Sequence, residues 1–223
     1  MHSFVTHRYD HTVIPLTPLE IIMNLLLKAV LFSTLLLSNT FLNADDSVSH
    51  ASPEWQISAY SGAAPSFIGD FATIVGGAGE VLREGSNGWT CTATKPMPET
   101  GFKTAHHAFA LCADAEGFKW AAAYMAGTKP VMERDAYIWM LHGDTGEDNN
   151  MPGGDKGMAM KHGHWIESGP HLMLMPRDPA TIANFPTDFT VGAPYQMFKG
   201  SPYAHLMIPF EGYYQYQPES APK

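Results

Sequence analysis

The chain has 223 residues, 45% of them hydrophobic and 16% charged. That composition excludes a chain disordered throughout and leaves room for one folded domain, or one plus a small appendage. Thirteen basic against 22 acidic side chains give a net charge of −9, so neither nucleic acid nor an anionic membrane surface is an expected partner.

The most apolar stretch runs from Leu25 to Leu37, interrupted by Lys28, Ser33 and Thr34. A membrane-spanning helix needs about 20 apolar residues, and this run is shorter. From Met23 it reads as a secretory leader: one Lys, an apolar core, a polar tail and a small residue at the cut. Residues 1–22 are expected to be an extension ahead of the true start, 23–44 a signal peptide cleaved after Ala44, and 45–52 a flexible lead-in. Residues 53–212 form the expected domain and 213–223 a C-terminal tail. No Cys stands at the cut just after the apolar core, so no lipoprotein anchor, and no stable membrane anchor after cleavage, is expected.

Ser52-Pro53-Glu54 has the form of a helix start, with Ser as cap and Pro at the first helical position. Gly62 and Pro65 keep that helix short. Phe71–Val75 and Val81–Glu84 flank a Gly-rich turn and predict a β-hairpin. Trp89–Thr94 is a further strand. Asp114 caps a predicted helix whose apolar positions run from Phe118 to Met125, and Gly127 and Pro130 end it. Tyr137–Leu141 is a strongly apolar strand. A long polar loop is expected from His142 to His164. Strands are expected at His171–Met175, Tyr195–Phe198 and Ala204–Ile208, and a short helix from Asp178-Pro179 to Pro186. The expectation is an α+β fold: a single domain on a mainly antiparallel sheet, with two or three short helices and one disulfide.

Cys91 and Cys112 both follow the leader, and an even count in an oxidising compartment points to a disulfide. A closed loop of about 20 residues contributes roughly 3 kcal/mol by the chain-entropy model. The competing reading is a Cys nucleophile near His106 and His107.

The chain carries 13 Met and 11 His, and most of the Met follow Tyr124. Residues two apart on a strand share a face. His171, Met173 and Met175 are therefore expected on one side of their strand, and His205 and Met207 on one side of theirs. Imidazole and thioether together suit Cu(I), so these five residues form a candidate soft-metal site with copper as the candidate cofactor. Met158, Met160, His162 and His164 would alternate in the same way if extended. The competing reading makes the Met core filler and each His a backbone hydrogen-bond partner.

The run from His142 to Asn150 gathers three carboxylates just after a buried-type strand. A hydrolase could use His142 as general base with Asp144 orienting it. The competing reading is a solvated turn. A calcium loop through Asp144, Glu147, Asp148 and Asp155 lacks EF-hand spacing. Trp139, Trp165, Tyr195, Tyr203 and the run Tyr213–Tyr216 could line a ligand cleft, or belong to the core.

Asn87-Gly-Trp-Thr-Cys91, Cys112-Ala-Asp-Ala-Glu-Gly-Phe-Lys-Trp-Ala121 and Tyr137-Ile-Trp-Met-Leu-His-Gly-Asp144 resemble a family of uncharacterised exported bacterial proteins. So do Trp165-Ile-Glu-Ser-Gly-Pro-His-Leu-Met-Leu174 and Gly200-Ser-Pro-Tyr-Ala-His-Leu-Met-Ile-Pro209. The likeness runs from about Thr73 to Pro209. It implies secretion and a shared fold, and no reaction. The family's loop after the Gly-Asp is replaced here by Thr145–Pro152, and the His162/His164 pair is local to this chain, whereas His171 and His205 match the pattern.

Three function classes follow. The leading one is a non-enzymatic domain binding a small ligand or soft metal through the His/Met strands. The second is a secreted hydrolase using His142 and Asp144. The third is a structural or envelope-interaction protein, marked by an exposed apolar patch. No protein partner is identified.

Overall fold

The structure, a computed structural model, describes residues 48–223. The expected extension at 1–22, the leader at 23–44 and the start of the lead-in lie outside the described residues. At the end of that lead-in His50 is held in place, its Nδ1 2.7 Å from the Phe102 carbonyl and its ring stacked on Trp55.

Four α-helices occur among the described residues: α1 (Pro53–Ser61), α2 (Ser66–Gly69), α3 (Ala115–Ala126) and α4 (Lys156–Lys161). The two longer ones start as their sequences dictate. Ser52 Oγ accepts the Trp55 amide at 3.2 Å, and Asp114 Oδ1 accepts the Gly117 amide at 2.8 Å. Each side chain satisfies an amide that the first helical turn leaves free.

The strands are β1 (Thr73–Val75), β2 (Val81–Arg83), β3 (Thr90–Ala93), β4 (Ala110–Ala113), β5 (Ala136–Met140), β6 (Glu147–Asp148), β7 (Trp165–Ile166), β8 (His171–Met175), β9 (Tyr195–Met197) and β10 (His205–Pro209). Eight of them make one sheet in the order β2-β1-β3-β4-β5-β8-β10-β9. All its pairs are antiparallel except β1 with β3. The α+β expectation therefore holds.

Both sheet faces are covered, which explains why the central strands carry apolar residues at successive positions. On one face α1 and α2 pack over Ile74, Cys91, Ala110 and Cys112. On the other, α3 packs over Leu111, Ala113, Ile138 and Met140. Further along, Leu174, Leu206 and Ile208 lie under a short 3-10 helix, Pro179–Ile182. The Leu/Met alternation of β8 and β10 thus sends Leu to the first face and Met to the second.

Cys91 and Cys112 are cross-strand partners on β3 and β4, bonded to each other and fully buried. The Cys-nucleophile reading is thereby excluded. Unreduced protein unfolded in guanidinium is expected to take up no thiol-alkylating label, and two labels after reduction. Reduction is expected to lower the unfolding free energy by about 3 kcal/mol, measured by denaturant titration. Labelling without reductant would contradict the pairing.

The 142–164 region differs from the expected solvated loop. Glu147–Asp148 pairs with Trp165–Ile166 as a separate two-stranded sheet, and α4 fills the space between. Asp144, Asp148 and Asn149 are buried. Nor do Met158, Met160, His162 and His164 share a strand face. Asp155 Oδ1 accepts the Met158 amide at 2.9 Å and caps α4 across that segment. Residues 213–223 pack against the domain: Tyr213 is in the core, and Gln217 bonds the Glu167 amide and the Trp165 carbonyl.

Candidate functional site

Between α3 and the sheet lies a cavity of about 630 Å³. Its sheet wall is built by register. Ile138, Met173, Met207 and Tyr195 stand opposite one another across β5, β8, β10 and β9. One step along the same face, His205 stands opposite Met197. Met173, Met197, Met207 and His205 all line the cavity. From the helix side come Phe118, Trp120, Ala121 and Tyr124.

Phe109 and Phe198 line it too, and among the described residues they are the two non-glycine residues with positive φ, at 50° and 58°. A left-handed backbone costs a side-chain-bearing residue roughly 1–2 kcal/mol, and such conformations gather at binding sites. Lys95 stands over the Phe109 ring with its Nζ 4.1 Å from the centroid.

His205 is held from three sides. Its Nδ1 lies 3.0 Å from the Tyr203 carbonyl and must donate to it, so Nε2 keeps a bare lone pair. The rings of Trp120 and Phe198 meet the imidazole edge-on at 5.3 Å each. Nε2 is buried with no hydrogen-bond partner. Burial disfavours the imidazolium and pushes the pKa down to about 4, so His205 is neutral at pH 7.

His171 repeats this arrangement one layer back. Its Nδ1 donates to the Gly169 carbonyl at 2.7 Å, Nε2 has no hydrogen-bond partner, and burial lowers its pKa to about 4. The ring packs edge-on against Tyr213, and His171 does not line the cavity. His171 pairs with Pro209 on β10, four residues beyond His205. At about 3.3 Å per residue the two backbones are about 13 Å apart along the strands, and of the two imidazoles only that of His205 belongs to the cavity lining. The five-residue soft-metal set is thus divided. Met173, His205 and Met207 meet at the cavity, while His171 and the fully buried Met175 stand outside its lining.

The polar end of the cavity carries Asp144, Glu147 and Ser168. Asp144 follows β5 through a turn at Gly143. Its amide donates to the Ser168 carbonyl at 2.9 Å, and its Oδ1 accepts the Gly146 amide at 2.8 Å. Burial raises its pKa to about 7, opposed by the Gly146 and Ser168 amides and reinforced by Glu147 and Glu167. Its Oδ2 is 3.9 Å from His171 Nε2. With His171 neutral at pH 7, that approach is not an ion pair. Burial also raises Glu147, against the pull of Lys95. Ser168 Oγ lies 3.2 Å from the Tyr213 hydroxyl, which in turn meets the Tyr195 hydroxyl at 2.5 Å.

The expected His142–Asp144 dyad is not assembled. His142 faces α1, bonded to the Ala59 backbone, with its Nε2 buried and unpartnered against Gly62. Asp144 enters the cavity on the opposite face, because the left-handed turn at Gly143 separates the two side chains. Among the expected cleft aromatics, Tyr195 and Tyr213 are core, and Trp139 packs on Phe210. Trp120, Tyr124 and Met197 are cavity residues that the sequence reading did not single out. Strand alternation at Tyr195–Met197 was the available signal for Met197.

Among the described residues no group of three or more His, Cys, Asp or Glu is placed to hold a metal ion, and no helix is long and apolar enough to cross a membrane. No family model, curated protein or solved structure matches the chain.

Proposed function

We propose that this chain is an exported domain that binds a small, largely apolar molecule between α3 and the sheet. The cavity carries the reading. A volume of about 630 Å³ falls within the roughly 300–1,000 Å³ of small-molecule sites, and the chemistry of its walls is of that kind. Aromatic and thioether side chains supply contact area, while Asp144, Glu147, Ser168 and His205 can orient a ligand's polar groups. The leader-like segment, the disulfide and the likeness to exported bacterial proteins support export.

The test uses an apolar fluorophore, 1-N-phenylnaphthylamine, titrated into the purified protein. Wild type is expected to bind it and brighten it. Ala121→Phe places a ring in the cavity from α3 and is expected to weaken binding about tenfold or more, a change of about 1.4 kcal/mol. Its melting temperature reports folding independently, because filling a cavity adds contacts. No binding by wild type, or equal binding by a folded Ala121→Phe variant, would remove the proposal.

A further inference from the structure

The geometry points to a soft monovalent cation site, for Cu(I), on the sheet wall of the cavity, made by His205 Nε2 with the thioethers of Met197 and Met207. This goes beyond the small-ligand reading, which needs only the cavity.

Three observations carry it. First, His205 lines the cavity, and its Nε2 lone pair is buried without a hydrogen-bond partner. A buried acceptor without a partner costs free energy that an occupant would offset. The Tyr203 carbonyl fixes the tautomer through Nδ1, as the second partner of a metal-bound imidazole does. Second, strand register gathers methionines beside His205 on the same sheet face. Met197 is the direct cross-strand partner of His205, and Met207 follows two residues later on the same face. Met173, the partner of Met207, stands next to it. Neighbouring positions of this kind bring Cβ atoms to about 4.5–7 Å, within reach of flexible thioethers.

Third, the donors are neutral and soft. One imidazole and thioether sulfurs select Cu(I) over Zn²⁺, Mg²⁺ or Ca²⁺, which need thiolate, several imidazoles or carboxylate oxygens. The two carboxylates of the cavity, Asp144 and Glu147, belong to its polar end. They leave room for a monovalent ion without a hard-donor set.

Ag(I) serves as the probe, because it shares the donor preference and leaves the disulfide untouched. Methionine methyl NMR of the disulfide-intact protein is expected to show the Met197 and Met207 signals shifting together, saturating at one ion per chain. Cu(I) competition against bicinchoninate then measures affinity. The double variant Met197→Leu/Met207→Leu keeps apolar volume and removes sulfur. It is expected to bind Cu(I) at least about 100-fold more weakly, while a single cooperative thermal unfolding transition shows that its fold is kept. Cu(I) binding retained within about tenfold, or Ag(I) shifts confined to the exposed Met151, Met158 and Met160, would overturn the inference. Loss of fluorophore binding by wild type with Cu(I) binding intact would instead strike the small-ligand reading alone.

Discussion

Gly143→Ala is expected to cost about 4 kcal/mol or more and to lower the melting temperature by about 10 °C. Gly143 has φ of 70°, a conformation costing an alanine roughly 1–2 kcal/mol. The larger part is contact. A Cβ there would lie 2.0 Å from the Ser168 carbonyl oxygen and 2.8 Å from Gly169 Cα. Both are backbone, so no side chain can swing away. The displaced strand would also lose the Asp144 amide to Ser168 carbonyl bond at 2.9 Å. For a fold stable by about 5–15 kcal/mol, that is a large share. Gly153→Ala is the control: its φ is 64°, with nothing within 4 Å of the added carbon. It should cost only about 1 kcal/mol. Equal losses in the two variants, compared by thermal unfolding, would show that the chain can open at Gly143.

Asp144→Asn is expected to gain on wild type by about 4 kcal/mol between pH 4 and pH 8. In the folded protein Asp144 titrates at about 7, against 3.8 for the free side chain. Its folded pKa is raised, so its contribution is fully present below pH 3.8 and is lost as pH rises through 7. Asparagine has no proton to lose and can still accept the Gly146 amide. His171 and His205 act with the opposite sign. Both fall from 6.5 to about 4 on folding, so each adds stability as pH rises from about 4 to 6.5. Two protons against one leave a net rise over that interval of roughly 1.4 kcal/mol per pH unit, followed by a fall as Asp144 ionises. The rising His contributions are common to both proteins and cancel in the difference. Urea unfolding at several pH values measures it, and a difference independent of pH would mean that Asp144 ionises as an ordinary carboxylate. The Asp144 carboxylate destabilises the fold at neutral pH, a cost that a hydrogen-bond donor placed beside it would offset.

Local pattern made the outer layer of this fold legible. Ser52 and Asp114 announce their helices because a cap acts within three residues. His171–Met175 and His205–Pro209 announce strands, and place Met on one face, because alternation is a property of the extended chain alone. The two cysteines announce a bond by number and by their position after the leader-like segment. Asp144 resisted the same treatment. Its run of Asp, Glu and Asn has the composition of a solvated turn, and only pairing with Trp165–Ile166 and Ser168, some twenty residues on, takes it out of water. His142 lies two residues from Asp144 and belongs to the other side of the sheet.

Composition, periodicity and capping thus suffice for the class of fold and the faces of the Met-bearing strands, which depend on neighbours within a few residues, and two cysteines leave one possible intrachain bond. Which His meets which Met, and which carboxylate is buried, depends on the order β5-β8-β10-β9 and its register. Those pairings join residues up to about 40 apart in sequence and are selected by burial of both sheet faces. No spacing within a single segment encodes them.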